Sequence, residues 1–267
     1  MASGMEHKKN AWGRAWRWLK RGSHWLGLVS LLLPLAAWQL IASFSGLPAF
    51  MLPSPALVLA RFASVLLDGS LLRHTGYTLL EVLLGLALGS GLATATGYAL
   101  ARSPVLEGML SPYLVASQAV PVVAIAPLLV IWFGPGLFSK VLICALIVFF
   151  PVLVNTVVGL RAVPQALRDL MHSLRATPLQ VLRHLEIPAA LPVLLGGLRI
   201  GATLSVIGAV VGEFVGADRG LGFLVNVGRG RYDTALVFVA IITLVALALL
   251  LYGAVVLLEK RALRWQR

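Results

Sequence analysis

ALRDLMHSLRATPLQVLRHLEIPAALP, residues 166–192, forms a polar, arginine-rich hinge between two long apolar runs, and two short helices are predicted in it. Thr177 can cap the second helix, because Pro178 follows at its first helical position and Gln180 stands three residues after the cap. Two further prolines predict where this helix gives way to the next apolar run: Pro188 and Pro192. The hinge is therefore either a connecting loop or a capped hairpin presented to something in the cytoplasm.

The composition is that of a chain whose solvent is lipid. Of the 267 residues, 59% are hydrophobic and 12% are charged, and the mean hydropathy is +0.92. Soluble domains are not that apolar. The net charge of +12 would suit a protein that binds nucleic acid. However, the basic residues stand at the ends of apolar runs, so we interpret them as topology signals and expect no nucleic-acid partner.

Six apolar runs predict an all-α integral membrane protein with six transmembrane helices. The predicted spans cover about 25–44, 74–101, 111–133, 138–160, 192–215 and 234–258. Before them, residues 1–24 are basic and rich in Trp, which suits either an uncleaved amphipathic segment on the inner leaflet or a disordered tail. The hinge belongs to a loop at 161–191, and a basic tail follows at 259–267.

Small residues recur at four-residue intervals in the second and fifth spans. Small residues on one stripe let a neighbouring backbone approach closely, which is how helices associate in lipid. These stripes therefore predict packing faces and not chemistry, and the single cysteine, Cys144, is expected to be a small packing residue. The stripes are Gly85, Gly89, Ala93 and Gly97; Gly208, Gly212 and Gly216; and Gly197, Gly201, Ser205 and Ala209.

The distribution of Lys and Arg predicts which side of the membrane each loop faces. Six spans place both termini and the hinge on one side, which holds fifteen Lys and Arg residues, whereas the other side, with Lys140, holds six. The positive-inside rule then places the termini and the hinge in the cytoplasm. Arg199 lies within the fifth span and is expected to snorkel to the lipid headgroups.

Polar and proline residues at membrane depth are the candidates for a translocation path. Pro121 and Pro127 are expected to break the third span and to free the carbonyls of Ser117 and Val123, which is tolerated only against protein or a water-lined cavity. Glu213 faces either this path or a structural cation partner from another span. The alternative for the broken span is a kink for packing. The predicted path residues are Gln118, Pro121, Pro127, Asn155 and Glu213.

The motifs of enzymes that act on nucleotides, metals or esters are missing from the sequence. There is no G-x-x-x-x-G-K-[ST], no H-E-x-x-H and no G-x-S-x-G. The ionisable candidates in the membrane, Glu81, Arg199 and Glu213, are expected to lie too far apart to form a catalytic pair. We therefore expect a non-catalytic subunit without a metal or cofactor of its own.

The hinge resembles the EAA loop of bacterial ABC-importer permeases, whose pattern is roughly E-A-A, three residues, G, nine residues, I-x-L-P. Asp169 stands at the place of the Glu, and Arg175 replaces the usual Gly. The other matched positions are Leu170, Met171, Leu185, Ile187 and Pro188. The resemblance extends from about Leu52 to the C-terminus. It is strongest to permeases for taurine, aliphatic sulfonates, nitrate, or vitamins and their precursors.

This resemblance implies a permease in the bacterial inner membrane that works with other subunits. Two copies would form the pore, and two ATPase subunits, which carry ATP and Mg, would dock on the hairpin at 164–188. The residues implied in this coupling are Asp169, Leu170, Met171, Arg175, Thr177, Leu185, Ile187 and Pro188. The tightness of the turn is open, because Arg175 stands where the family has Gly.

An extracytoplasmic binding protein would deliver the solute, because the exposed loops are too short to form a binding domain. The residues expected to dock it, which are alternatively a solvated loop, are Asp218, Arg219, Arg229, Arg231 and Asp233. The solute is expected to be a small organic anion (sulfonate, taurine or nitrate) or a vitamin or precursor such as riboflavin or thiamine pyrimidine. A free-standing channel or secondary transporter is the alternative class, although we find no internal repeat that would favour it.

Overall fold

The computed structural model describes residues 23–264 of the chain, with side chains from residue 32 onward. Within this range the regular elements are all helical, as predicted. The predicted amphipathic segment at 1–24 lies almost wholly outside the described residues. The helices are α1 (Ser23–Phe44), α2 (Pro55–Leu67), α3 (Ser70–Arg102), α4 (Pro104–Gln118), α5 (Val122–Phe133), α6 (Leu137–Arg161), α7 (Gln165–Ser173), α8 (Pro178–Val181), a π-helical turn (Leu182–Glu186), α9 (Ile187–Gly216), α10 (Leu221–Gly230) and α11 (Thr234–Ala262).

Four of these helices are long and apolar enough to cross a membrane. They are α3, α6, the continuous helix Pro178–Gly216 and α11. The bent pair of α4 and α5 makes a fifth if it is a single broken span. The first predicted span coincides with α1, of which the apolar part with described side chains, Leu32–Phe44, is shorter than a membrane crossing. The described residues thus support four or five of the six predicted spans.

The third predicted span is not one helix, because the chain bends by 94° between α4 and α5. Pro121 stands at the bend in an extended conformation and begins α5 as its N-cap. The carbonyl of Ser117, predicted to be free, accepts a hydrogen bond from the backbone of Val120 at 3.3 Å. Pro127 lies inside α5 and does not break it, so the predicted second break is wrong.

The hinge and the fifth span share one helix of 39 residues, Pro178–Gly216. The prediction that Pro188 and Pro192 separate them is therefore wrong. The π-helical turn directly before Pro188 accounts for this continuity, because such turns re-pair the backbone groups that a proline disturbs. At roughly 1.5 Å per residue the helix is about 58 Å long, well beyond the roughly 30 Å hydrocarbon core of a bilayer. Part of it must project beyond the lipid.

The core of the bundle is α6, which packs against both α3 and α9. Glycines of the predicted stripes make both contacts possible. A Cβ atom on Gly85 of α3 would lie 2.1 Å from Cβ of Cys144, and one on Gly208 of α9 would lie 2.7 Å from Cα of the same residue. Cys144 is fully buried between them. The stripes and the packing role of Cys144 are thus confirmed, and both striped spans meet on the same helix.

The bundle has two ends that carry different polar structures. We call the end formed by the hairpin of α7 and α8, together with Arg102 at the close of α3, the hairpin end. The opposite end carries α10 and the segments that flank it, residues 217–233, and we call it the loop end.

Candidate functional site

The turn of the hairpin is tight although Arg175 replaces the glycine of the family pattern. Arg175 adopts a left-handed conformation with φ of 53°. Its backbone N–H donates to the carbonyl of His172 at 2.9 Å, and that of Ala176 donates to Met171 at 3.0 Å. These bonds close the end of α7, so the turn keeps its shape at the cost of placing a side chain where glycine is favoured.

The helix after the turn begins with the predicted capping box. The hydroxyl of Thr177 accepts from the backbone N–H of Gln180 at 3.4 Å, and the side-chain oxygen of Gln180 accepts from the backbone N–H of Thr177 at 2.7 Å. Pro178 occupies the first turn. This reciprocal pair fixes the point at which the chain turns back toward the bundle.

The surface of the hairpin is polar but carries several large exposed leucines. Leu170 is 54% exposed, Leu174 69% and Leu179 70%. Of the predicted coupling residues, Asp169, Leu170, Arg175, Thr177 and Ile187 are exposed, and Met171, Leu185 and Pro188 are half-buried. Apolar side chains on an otherwise polar projection indicate a surface that contacts another protein.

The hairpin is anchored to the bundle by a cluster that sequence inspection missed. Glu186, in the π-helical turn, is 1% exposed and accepts a hydrogen bond from Arg102 of α3 at 2.8 Å. Arg168 of α7 lies 3.8 Å from the same carboxylate and donates to the carbonyl of Leu160 at 2.8 Å. We call Arg102, Arg168 and Glu186 the hairpin-end cluster. It links the hairpin to α3, α6 and the long helix.

At the loop end, Glu213 is 1% exposed and binds two elements. One carboxylate oxygen accepts from the hydroxyl of Thr78 on α3 at 2.6 Å, and the other accepts from the backbone N–H of Gly222. Glu81 of α3 is also buried and pairs with the ammonium of Lys140 at 3.3 Å. We call Thr78, Glu81, Lys140 and Glu213 the loop-end cluster.

This cluster corrects two expectations. Lys140, near the start of the fourth predicted span, was counted among the cations of the outer side, but its side chain is 5% exposed and pairs with Glu81 inside the bundle. Glu81 and Glu213 were expected far apart, but Glu81 stands one helical turn after Thr78, whose hydroxyl donates to Glu213 at 2.6 Å. Residues 81, 140 and 213 come from three different helices, and nothing local in the sequence reveals that these helices meet.

The glycine-rich loop can reach Glu213 only because Gly220 has no side chain. Gly220 has φ of 110°, and a Cβ atom there would lie 2.1 Å from a carboxylate oxygen of Glu213. The backbone N–H of Gly220 donates to Nδ1 of His74 at 3.0 Å, and that of Leu221 donates to the hydroxyl of Thr78 at 2.8 Å. The start of α10 is thus held on α3 and α9 by its backbone.

The predicted path residues are divided between different parts of the molecule. Gln118 is exposed beside the bend at Pro121 and lines a cavity of about 180 Å³ between α4 and α6. Asn155 donates to its own helix at the carbonyl of Pro151, 2.8 Å away, and packs against Gly197. Glu213 has the internal partners described above, which fits the structural alternative. A path role for these residues, and for the exposed Pro127, stays a prediction.

Arg199, expected to snorkel to the lipid headgroups, has partners within the chain. Its guanidinium forms a salt bridge with Glu259 of α11 and lies 5.6 Å from the ring centroid of Tyr252 on the same helix. The pair joins the long helix to α11 in the half of the bundle toward the hairpin end.

The predicted docking residues are partly engaged within the chain. Asp233 accepts from Arg61 at 2.9 Å and caps α11 through Leu236 at 3.0 Å. Arg219 pairs with Asp218 at 3.3 Å and hydrogen-bonds the hydroxyl of Tyr77, which raises the pKa of the guanidinium above its ordinary value and keeps it charged. Four of the five remain exposed, namely Asp218, Arg219, Arg229 and Arg231, and Asp233 is half-buried.

Comparison with known proteins assigns this architecture. The family described as "binding-protein-dependent transport system inner membrane component" matches residues 85–264, which contain the hairpin, the whole hairpin-end cluster, and Lys140 and Glu213 of the loop-end cluster. The chain belongs to this family. The resemblance of the chain to ABC-importer permeases is thereby confirmed, and the chain is a multi-pass component of the inner membrane.

Several permeases of this family resemble the chain over most of its length. The riboflavin transport system permease protein RibX of Chloroflexus aurantiacus is 51% identical over 90% of each chain. The formylaminopyrimidine transport permease protein ThiX of Halalkalibacterium halodurans is 36% identical over 88% of this chain and 94% of its own. The taurine transport system permease protein TauC of Escherichia coli is 32% identical over 94% and 93%.

A solved structure shares the fold. A chain of the MetNI methionine ABC transporter in an inward-facing conformation superposes with a TM-score of 0.65 at 20% identity, over 73% of this chain and 97% of that one. At this identity the likeness establishes the fold alone.

Proposed function

We propose that the chain is the transmembrane subunit of an ATP-driven importer in which the hairpin receives the stroke of a separate ATPase. The observation that carries this proposal is the hairpin itself: a capped, two-helix projection with exposed leucines, anchored to α3 through Glu186 and to α6 through Arg168. The sequence prediction places it in the cytoplasm, where ATP is available.

Two copies of the chain would form the pore, with two ATPases beneath and a binding protein above. Closure of the ATPases around ATP would move both hairpins, and the bundles would rock between inward-open and outward-open forms. The energy of coupling enters through contacts that differ between these two states. The exposed Arg229 and Arg231 at the loop end are available to the binding protein.

We further propose that the solute is riboflavin or a vitamin precursor of similar aromatic character. The support is the 51% identity to the riboflavin permease over 90% of both chains, against 32% to the taurine permease. A small sulfonate is the second candidate, because a permease described as serving aliphatic sulfonates in Bacillus subtilis is 34% identical.

Reversing the charge of Asp169 tests the coupling role of the hairpin. In proteoliposomes with the ATPase and binding protein, Asp169→Lys should lower uptake by about tenfold, which corresponds to about 1.4 kcal/mol of docking energy. ATP hydrolysis and membrane insertion should persist. The matched control is Asp68→Lys, the same change at an exposed turn of the loop end, which should leave uptake close to that of the wild type. Unchanged uptake in Asp169→Lys would contradict the proposal.

The solute is tested separately from the coupling. The neighbouring binding protein should bind riboflavin, and the reconstituted importer should accumulate it in an ATP-dependent manner while taurine and alkylsulfonates fail to compete. Accumulation of a sulfonate in its place would transfer the assignment to the second candidate. Uptake by the chain without an ATPase would instead make it a free-standing transporter.

A further inference from the structure

The loop-end cluster contains more negative than positive groups in a site without water access on most sides. Glu81 is 2% exposed, Glu213 1% and Lys140 4%. Fully ionised, these three groups would carry a net charge of −1. An unbalanced charge in such a place is expensive, and a buried group commonly neutralises instead of bearing it.

The hydrogen-bond partners of the four carboxyl oxygens of Glu81 and Glu213 show which oxygen lacks a donor. Both oxygens of Glu213 have donors, Thr78 at 2.6 Å and the backbone of Gly222. One oxygen of Glu81 faces the ammonium of Lys140 at 3.3 Å. The remaining oxygen, Oε2 of Glu81, is buried and has no donor among the described residues.

The side chains of Glu81 and Glu213 nevertheless share one buried site. Glu81 stands one helical turn after Thr78, which donates to Glu213 at 2.6 Å, and Lys140, which pairs with Glu81, packs against Gly212 next to Glu213. Two ionised carboxylates only accept hydrogen bonds, so their proximity in such a site is repulsive. A carboxylic acid can donate. A single proton between the two groups therefore supplies the missing donor and brings the cluster to net zero with Lys140.

We propose that Glu81 and Glu213 form a proton-binding site that holds one shared proton at neutral pH, with Lys140 neutralising the remaining carboxylate. The reaction is simple protonation from water: the pair gains one proton and one unit of positive charge, and hydroxide remains in solution. The held proton stabilises the contact of α3 with α9 at the point where the start of α10 is fastened.

A cavity connects this site to the surface. It has a volume of about 290 Å³ at the loop end, and Glu81 and Lys140 are in its wall. Asp218 and Arg219 also line it and pair with each other at 3.3 Å. The cavity provides a route by which the proton exchanges with the aqueous phase.

The other titratable groups around the pair are accounted for. On α3, Nδ1 of His74 accepts from the backbone of Gly220, so this nitrogen carries no proton. On α6, the thiol of Cys144 lies buried between α3 and α9. Lys140 is the one cation within salt-bridge distance of either carboxyl group among the described residues.

Infrared spectroscopy of the purified chain in lipid nanodiscs at neutral pH tests the site. The wild type should show the C=O stretching band of a protonated carboxylic acid, equivalent to one group per chain and shifted in D₂O. Its absence would overturn the proposal directly. This measurement needs no substitution and no partner subunit, so it stands whether or not the proposed transport function holds.

Matched variants assign the band. Glu81→Gln and Glu213→Gln should each abolish it, because the remaining carboxylate then pairs with Lys140 or keeps its donors and ionises. Glu107→Gln, at the pair with Arg161 near the hairpin end, should leave the band unchanged. Persistence of the band in either Glu81→Gln or Glu213→Gln would contradict a shared proton.

The charge balance is tested through the cation. With Lys140→Met, both carboxyl groups should be protonated, and the band should grow to about twice its wild-type intensity. A band of unchanged intensity would show that Lys140 does not set the number of protons, and the proposal would fail in that respect. Size-exclusion elution of each variant as one symmetrical peak shows that the folded chain is being compared.

Discussion

The hairpin end and the loop end each bury one glutamate of the same long helix, but they surround it in opposite ways. Glu186 is paired with two arginines, whose side chains are 40% and 27% exposed. Glu213 lies beside a second carboxyl group and a lysine whose side chain is 5% exposed. The first cluster is rich in cations and partly wet, and the second is rich in carboxyl groups and dry except at the cavity on one side.

This difference indicates different mechanical roles. Ion pairs that water reaches can break and re-form at little cost, because solvent replaces the lost partner. A dry cluster has no such substitute, and removing one member leaves buried polar groups unpaired. We infer that the hairpin end is suited to movement and the loop end to holding three spans in a fixed relation.

The largest expected effect is at the loop end. Glu213→Ala removes the acceptor of Thr78 and Gly222 and leaves two buried donors unpaired, so we expect a loss of about 3–5 kcal/mol in the free energy of unfolding. Denaturant titration of the detergent-solubilised chain measures it. Glu107→Ala, at a more exposed pair, serves as control and should barely change stability. A small loss in Glu213→Ala would remove the contrast between the ends.

Removing the buried glutamate at the hairpin end should lower the free energy of unfolding by a smaller amount. Glu186→Ala leaves Arg102 and Arg168 without their carboxylate, but both are partly solvated, so we expect a loss of about 2 kcal/mol. Glu186→Gln, which keeps a hydrogen-bond acceptor, should cost less than the alanine variant. If Glu186→Ala destabilised the chain more than Glu213→Ala in the same titration, the hairpin end would be the more rigid one.

A substitution in the turn of the hairpin should increase the stability of the chain. Arg175→Gly removes a left-handed penalty of roughly 1–2 kcal/mol and adds a backbone entropy cost of roughly 0.5–1 kcal/mol, so the variant should be about 0.5–1 kcal/mol more stable. Arg183→Gly, within the π-helical turn, has no such strain to relieve and should be less stable than the wild type. Equal responses of the two variants would show that the turn is unstrained.

The smallest effect concerns the pair of Arg61 and Asp233 on the surface of the loop end. Asp233→Asn keeps a cap for α11 and loses only the charge, so we expect a change below about 0.5 kcal/mol. Asp233→Ala loses the cap as well and should cost about 1 kcal/mol more. A large effect of the asparagine variant would mean that the surface of the loop end is as sensitive as its buried cluster.

Local features of the sequence predicted the structure well. The capping box of Thr177 and Gln180 is formed, and the glycine stripes pack as expected, because each depends on residues close together on one helix. The bend near Pro121 follows from the missing N–H of proline. The expectation that proline ends a helix was wrong at Pro188, where a π-helical turn keeps the helix continuous.

Long-range pairings could not be predicted from the sequence. Glu81 with Lys140 and Arg199 with Glu259 join helices that are far apart along the chain, and the order of the spans does not determine which of them touch. Glu186 could have been noticed as the acidic residue six positions before the start of the predicted fifth span. Its burial depends on Arg102 and Arg168, whose positions only the folded chain reveals.

The continuous helix has a consequence for how distant parts of the chain communicate. Glu186 and Glu213 are members of one uninterrupted rod and stand about 40 Å apart along it, at roughly 1.5 Å per residue. In the proposed importer, an axial movement of the helix at Thr177 would therefore reach the acid pair through one continuous helix. The π-helical turn is the one described place on this helix where the α-helical hydrogen-bonding pattern is interrupted. It is therefore where part of an axial movement would be taken up before it reaches Glu213.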